Sequence, residues 1–438
     1  MSQEKTEFVD TLSNKERKKY HLLAIASTWF GCFADVLMDN SAIMILFFLA
    51  LESSETLTMF QTALSGIAFL LLLIPASQFV AKFGCKPVVR VSCLISLVSF
   101  ILMSGAPWLG VVGKYWTAFW CFVYAISRVL WAGAWFPLLT YILRPEERGK
   151  FFGMMRFSYY VITGTVFFLL GLFMDTEPPI AFLQIVLFVV GILAWGRWLC
   201  IKQIPLPDQE ESKQNTNDLK TAFQLSLRNA PLVMFSVYIC FSMTAFGGLT
   251  PLALLYFKEG LGYGSGITQL LSTITIVGCA SGYFLFPFIL KRIGMRKMQI
   301  LCHVMFILLP VCLFFCGKGL PFLFFVILIL LFLCNFVWAV FYAGVSSEML
   351  ALARPGNAPM ATAFSQTYLQ FGLAAGRIAS SLLLGGGLLA VNWDFHGFNI
   401  SNYQSIFLIA AGFAFFCLTL VFCLPSVVPR HDEDYYKP

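Results

Sequence analysis

The chain has 438 residues, of which 59% are hydrophobic and 12% charged, with a mean hydropathy of +0.81. Soluble domains run near 25% charged, so the composition excludes an ordinary soluble enzyme and marks a polytopic membrane protein. The net charge of +7 needs no nucleic-acid partner, because the basic residues cluster between the hydrophobic segments. The 13 cysteines lie mostly inside apolar stretches, without a CxxC pair beside histidine, which fits small packing residues rather than a zinc or redox centre. No cofactor, metal site or Walker loop is expected, so ATP-driven transport is disfavoured.

Apolar runs long enough to span a bilayer fall at about 21–51, 56–80, 88–112, 115–143, 151–174, 180–201, 231–257, 265–290, 298–317, 320–352, 359–389 and 403–425. They predict an all-α membrane protein of about 12 transmembrane helices. The longest polar stretch, 205–230, is read as a linker whose second part forms a short surface helix. It separates an N-terminal six-helix bundle (1–204) from a C-terminal one (231–438).

The first run, WFGCFADVLMDNSAIMILFF, carries Asp35 and Asp39. Four residues apart, they point within about 40° of each other on a helix. An ionisable group at membrane depth costs at least ~2.5–3.5 kcal/mol, so each carboxylate needs a partner, a wet cavity or a proton.

Basic residues fix the orientation. The N-terminal tail (Lys15, Arg17, Lys18, Lys19) and the loops after spans two, four and eight are rich in Lys and Arg, whereas the opposite loops hold only Lys114, Lys258 and Lys318 beside several acids. Both termini are expected to be cytoplasmic, in the cell (plasma or inner) membrane. The two halves also repeat. FVAKFGCKPVVR follows span two and FILKRIGMRKMQ follows span eight, with Gly84 and Gly294 at an offset of 210 residues. Arg144-Pro145 and Arg354-Pro355, at the ends of spans four and ten, keep the same offset. Such tandem repeats in secondary transporters flank a central site near the midplane.

On these residues the chain resembles the major facilitator superfamily, whose motif after the second helix reads roughly G-x-L-x-D-R-x-G-R-R/K. Lys82, Gly84 and Lys86 match its basic and glycine positions, and Arg292, Gly294 and Arg296 match them in the second copy. Ser77 and Ala81 replace the leading glycine and the acid, and Lys291 stands where the second acid would be. The resemblance implies two six-helix repeats around a central cavity, alternating access, and a gating role for these two loops.

Counted at about 1.5 Å per residue from the cytoplasmic ends, Asp35 and Arg128 lie at nearly equal depth, about 21 and 22 Å. The resemblance sets the first and fourth helices together beside the cavity, where an Asp–Arg pair is similar to the proton-coupling pair of some sugar–proton symporters. Changing access to the cavity alters the balance of charge pairing and desolvation at the acid, which lets it load and release a proton. A static ion pair and binding of an anionic substrate by Arg128 are the alternatives. Asp39 is open to several readings: a second proton site, a sodium ligand with Asn40, a contact to substrate, or a partner of Arg377.

Tyr124, Arg128, Trp131 and Trp135 share one face of span four. Tyr124 and Trp131 are expected to line the substrate site, against the simpler reading of packing with a cation–π contact to Arg128. The positions matching Asp35 and Arg128 in the second half are Ala245 and Trp338, so the charged pair has no copy there. Span ten instead offers Asn335, Trp338 and Tyr342 on one face, an aromatic wall with an amide that suits a neutral polar ligand. In span seven, Gly247, Gly248 and Pro251 weaken the helix and free backbone groups for a ligand or a bend. Span eleven carries Gln370 and Arg377, for which a ligand role is possible although the resemblance usually packs this helix behind the cavity. Arg156, one turn into span five, suits a gate or packing pair.

The expected function is secondary active transport of a small polar organic solute, first guess a sugar or glycoside, by a monomer in the lipid bilayer. Protons are the expected coupling ion, with Na+ as the other candidate. Two alternatives keep the fold: an exporter of lipophilic cations, and a non-transporting sensor or scaffold.

Overall fold

A segment without water to satisfy its peptide groups must bond them internally, which leaves helices as the way across. The computed structural model, which describes residues 12–39, 41–144, 148–206, 216–352, 358–395 and 397–423, follows that rule. Eleven helical segments are long and apolar enough to cross a membrane. Helix α15 (Ala358–Gly385), at 28 residues, is also long enough but carries Gln366, Gln370 and Arg377; with it the spans among the described residues number twelve. Asn40, Pro145, Arg354 and Pro355 lie outside the described residues. One departure from an all-helical chain is a short antiparallel hairpin between spans eleven and twelve, β1 (Asn392–Phe395) with β2 (Phe398–Ser401).

Three spans are broken, spans one and two against the expectation of continuous helices and span seven at the glycines expected to weaken it. Span one is α1 (Asn14–Asp39) followed by α2 (Ala42–Ala50), whose Ser41 cap accepts from the Ile43 amide at 3.1 Å. Span two is α3 (Glu55–Gln61) and α4 (Leu64–Phe83). Span seven is α10 (Ala230–Phe246) and α11 (Leu249–Leu255), interrupted at Gly247-Gly248. Spans one and seven are equivalent in the repeat, and discontinuous helices at equivalent places mark the binding region of transporters. The remaining spans are α5 (Cys85–Ser104), α6 (Gly113–Thr140), α7 (Arg148–Phe173), α8 (Ile180–Ile201), α12 (Ser265–Ile293), α13 (Met295–Phe314), α14 (Leu323–Ala351) and α16 (Asn402–Cys423). The polar linker ends in α9 (Thr216–Leu227), the expected short helix.

The repeat is visible in the backbone. Gly84 ends α4 and starts α5 at φ 82°, ψ 164°; Gly294 ends α12 and starts α13 at φ 76°, ψ 164°. Only glycine adopts this region readily, and other residues are strained there by ~1–3 kcal/mol. A Cβ on Gly294 meets nothing within 4 Å, so its substitution tests the backbone alone. Gly294→Ala and Gly84→Ala are each expected to lower stability by ~1–3 kcal/mol, read as a fall in melting temperature of the detergent-purified protein. Unchanged melting curves would show that the chain reaches these corners another way.

Both halves have aromatic cores, around Phe47, Phe100 and Phe167 in the first and Phe235, Phe306 and Phe407 in the second. The halves meet on the side away from Asn14 and Cys423. Hydrogen bonds that join the halves there include Ser41 Oγ to Gln269 Oε1 (3.1 Å), the Ser265 amide to Thr176 O (2.9 Å), Ser381 Oγ to Thr56 O (2.7 Å), and Arg377 Nη1 to Thr62 O. Nearer mid-depth, Tyr160 of α7 stacks on Tyr283 of α12 (centroids 5.7 Å apart), and Arg156 lies over the Tyr283 ring at 5.1 Å. Arg156 is therefore a packing partner between the halves.

Candidate functional site

Between the halves lies a cavity of about 370 Å³, lined by both. Its N-terminal wall includes Asp35, Asp39, Ser65, Arg128 and Trp131. The facing wall includes Gly247, Pro251, Asn335, Trp338, Tyr342 and, from span eleven, Gln370 and Arg377. Span eleven thus reaches the cavity rather than packing behind it.

The charged groups form an alternating chain. Arg197 Nη2 is 2.5 Å from Asp35 Oδ2, and Arg128 Nε is 3.2 Å from Asp35 Oδ1. Arg128 Nη2 is 2.6 Å from Asp39 Oδ2, and Arg377 Nη1 is 3.9 Å from Asp39 Oδ1. The depth match of Asp35 and Arg128 corresponds to a contact. The closer partner of Arg128, however, is Asp39. Four residues apart on α1, both carboxylates face one guanidinium. Arg128 is held from the other side by Ser65 Oγ, which accepts from Nη1 at 2.8 Å.

Asp35 is saturated. Besides the two arginines, the Tyr124 hydroxyl donates to Oδ1 at 2.9 Å. Tyr124 is fully buried, and it is absent from the cavity wall. That corrects its expected substrate contact: its ring lies one turn beyond Arg128, where the hydroxyl meets a carboxylate instead of the cavity. Asp39 is the more exposed acid, with side-chain accessibility of 25% against 19% for Asp35, and its second arginine is beyond hydrogen-bonding distance.

Arg197, on span six, escapes sequence reasoning. It sits about one turn from the end of its span, where a lone arginine ordinarily snorkels to the interface. Here it turns inward. Its guanidinium lies over the Trp131 ring at 4.4 Å, and Trp131 stacks on Trp135 at 5.0 Å. The cation on this aromatic pair is therefore Arg197 and not Arg128. A Cβ on Gly31 would collide with the Arg197 side chain, so span one needs glycine at that point to let the arginine pass. The available signals were the glycine, the acid four residues after it, and the only arginine of span six.

Arg377 joins all three helix breaks. Its Nε donates to Gly247 O at 3.0 Å, the carbonyl freed in span seven. Its Nη1 donates to Thr62 O, at the break of span two, and it faces Asp39, at the break of span one. Backbone groups released in an apolar medium need such a donor. Gly247 and Gly248 serve a second purpose, since a Cβ at either would press on the α15 backbone at Leu373 or Gly376.

Asn335 lines the cavity, but its amide is used locally: Nδ2 donates to Leu331 O at 3.0 Å, and Oδ1 accepts from Thr250 at 3.4 Å. Trp338 and Tyr342 lie side by side, with centroids 6.1 Å apart. The loop residues Lys82, Lys86, Arg292 and Arg296 are all absent from the cavity wall. Lys82 Nζ rests over Phe83 at 5.3 Å, and Arg296 donates to Val421 O at 2.9 Å.

Two helical repeats enclosing a charged and aromatic cavity define a polytopic membrane transport protein. The chain belongs to the Major Facilitator Superfamily, whose family model matches residues 28–377. Among solved structures it is similar to a mutant of the nucleoside transporter NupG (TM-score 0.72, 15% identity, covering 92% of this chain and 99% of that one). It is similar also to a D-xylose–proton symporter (0.68, 11%, 91% and 97%) and to a bacterial homologue of the iron transporter ferroportin in an inward-facing state (0.64, 12%, 94% and 99%). At these identities the likeness is one of fold. No curated protein matches the chain significantly.

Proposed function

We propose that this protein is a secondary active transporter that moves a small polar organic solute, in the sugar or glycoside class, by alternating access coupled to protons. It acts as a monomer in the cell membrane with both termini cytoplasmic, and the cavity communicates with the terminal side in this state. The observation that carries the reading is the chain of ion pairs from Arg197 to Arg377, which runs along the cavity wall and crosses between the halves at Asp39. The fold neighbours named above, a nucleoside transporter and a D-xylose–proton symporter, support the solute class and the coupling ion.

The coupling follows from which contacts the opposite state must break. Opening the side away from the termini separates span eleven from spans one and two. Arg377 then leaves Thr62 and Asp39 together. Asp39 loses part of its positive surroundings and takes a proton from the newly opened side. Closure brings Arg377 back and expels the proton to the terminal side. Asp35, fixed by three donors, holds Arg128 in place for this exchange. In this mechanism Asp39, rather than Asp35, carries the proton. Export of lipophilic cations fits less well, because three guanidiniums surround the two carboxylates.

Uptake of labelled sugars and nucleosides into proteoliposomes under an imposed pH gradient tests the reading. Accumulation is expected that collapses with a protonophore. Equal uptake with and without the gradient would remove proton coupling, and no counterflow of any solute would favour the sensor or scaffold.

A further inference from the structure

We infer that the transported solute carries one negative charge, which Arg377 recognises from span eleven; this rests on the transport reading and narrows its substrate class from neutral sugars to sugar acids. The ion-pair chain holds three guanidiniums, Arg128, Arg197 and Arg377, against two carboxylates, Asp35 and Asp39. Arginine does not deprotonate in proteins, so the site keeps one positive charge in excess. Protonating either carboxylate enlarges the excess. At membrane depth such a charge needs a counter-ion, and the one mobile component of the site is the solute.

The excess charge belongs to Arg377. Arg197 is taken up by Asp35 and the Trp131 ring, and Arg128 by both carboxylates and Ser65. Arg377 has two backbone carbonyls, which carry no net charge, and a carboxylate at 3.9 Å. It lines the cavity, and its contacts with protein among the described residues use Nε and Nη1, leaving Nη2 for a ligand. Gln370, two turns back on the same face of the helix, also lines the cavity, and its amide has no hydrogen-bond partner among the described residues. A guanidinium edge and a free amide opposite the rings of Trp338 and Tyr342 form a site for a carboxylate attached to a hydroxyl-bearing ring. The same substitution explains coupling: a solute carboxylate that engages Arg377 replaces Asp39 as its counter-ion and leaves Asp39 ready to take a proton.

Matched neutral and anionic solutes test this by thermal stabilisation of the purified protein at constant ionic strength: galactose with galacturonate and glucose with glucuronate, plus galactose 6-phosphate. In at least one pair the carboxylate is expected to act at about tenfold lower concentration than its neutral partner. Arg377→Gln should abolish that preference, while Arg377→Lys keeps it with weaker binding, which separates charge recognition from a folding defect. A response to galactose 6-phosphate without galacturonate overturns the single-charged carboxylate as the solute group, because a phosphate monoester carries close to two charges at neutral pH. Neutral members acting as well as anionic ones, no anion acting at all, or a preference that survives Arg377→Gln overturns the inference. Counterflow of the stabilising solute is measured in parallel: stabilisation without counterflow leaves the anion site standing and overturns the transport reading.

Discussion

Asp39→Asn is expected to abolish pH-gradient-driven accumulation, by at least tenfold, while solute counterflow across the same proteoliposomes continues. The amide has the shape of the protonated acid but cannot release a proton, so the protein is held in the loaded form. Counterflow requires only that the cavity open alternately, and the loaded form does that. Asp39 is chosen over Asp35 on geometry. Asp39 bridges Arg128 of one half at 2.6 Å and Arg377 of the other at 3.9 Å, so the relative movement of the halves changes its surroundings. The partners of Asp35 are all in its own half and move with it. If Asp39→Asn still accumulates solute and Asp35→Asn does not, the proton resides on Asp35 and the proposed exchange at Asp39 is wrong.

The second large effect concerns Arg197. Removing one partner of a buried ion pair leaves the other charge uncompensated, at a cost of about 3 kcal/mol or more. Arg197→Met should destabilise the protein by roughly this amount, since Asp35 is left with Arg128, which it shares with Asp39. Gly31→Val should act similarly, because the added side chain occupies the path of the Arg197 guanidinium. Adding Asp35→Asn to Arg197→Met removes the stranded charge and should recover part of the loss. Thermal melts of these three variants and the wild type in one detergent measure this. A wild-type melting temperature for Arg197→Met would mean that the contact contributes nothing and that Asp35 is held by Arg128 and Tyr124 alone.

Much of this protein was legible along the chain. Apolar run length set the spans, because a bilayer demands about 20 residues per crossing whatever surrounds them. The offset between Gly84 and Gly294 revealed the repeat, because a glycine-only backbone corner restricts one residue type at one place. Counting rise per residue put Asp35 level with Arg128, and the glycines of span seven marked a break that the fold contains. Tertiary structure decided which of the candidate pairs form. Helical periodicity reports which residues of one helix share a face, and it is silent on which other helix that face meets. Arg197 is a single residue with no periodic signature, and Arg377, though it shares a face with Gln370 and is one of several candidate partners of Asp39, is one polar residue among many; they stand 162 and 338 residues from the carboxylates they approach. Their long side chains reach Asp35 and Asp39 only because six-helix packing sets span six behind span one, and because three helix breaks converge on span eleven. The excess of one guanidinium, on which the choice of solute turns, exists only once those helices are brought together.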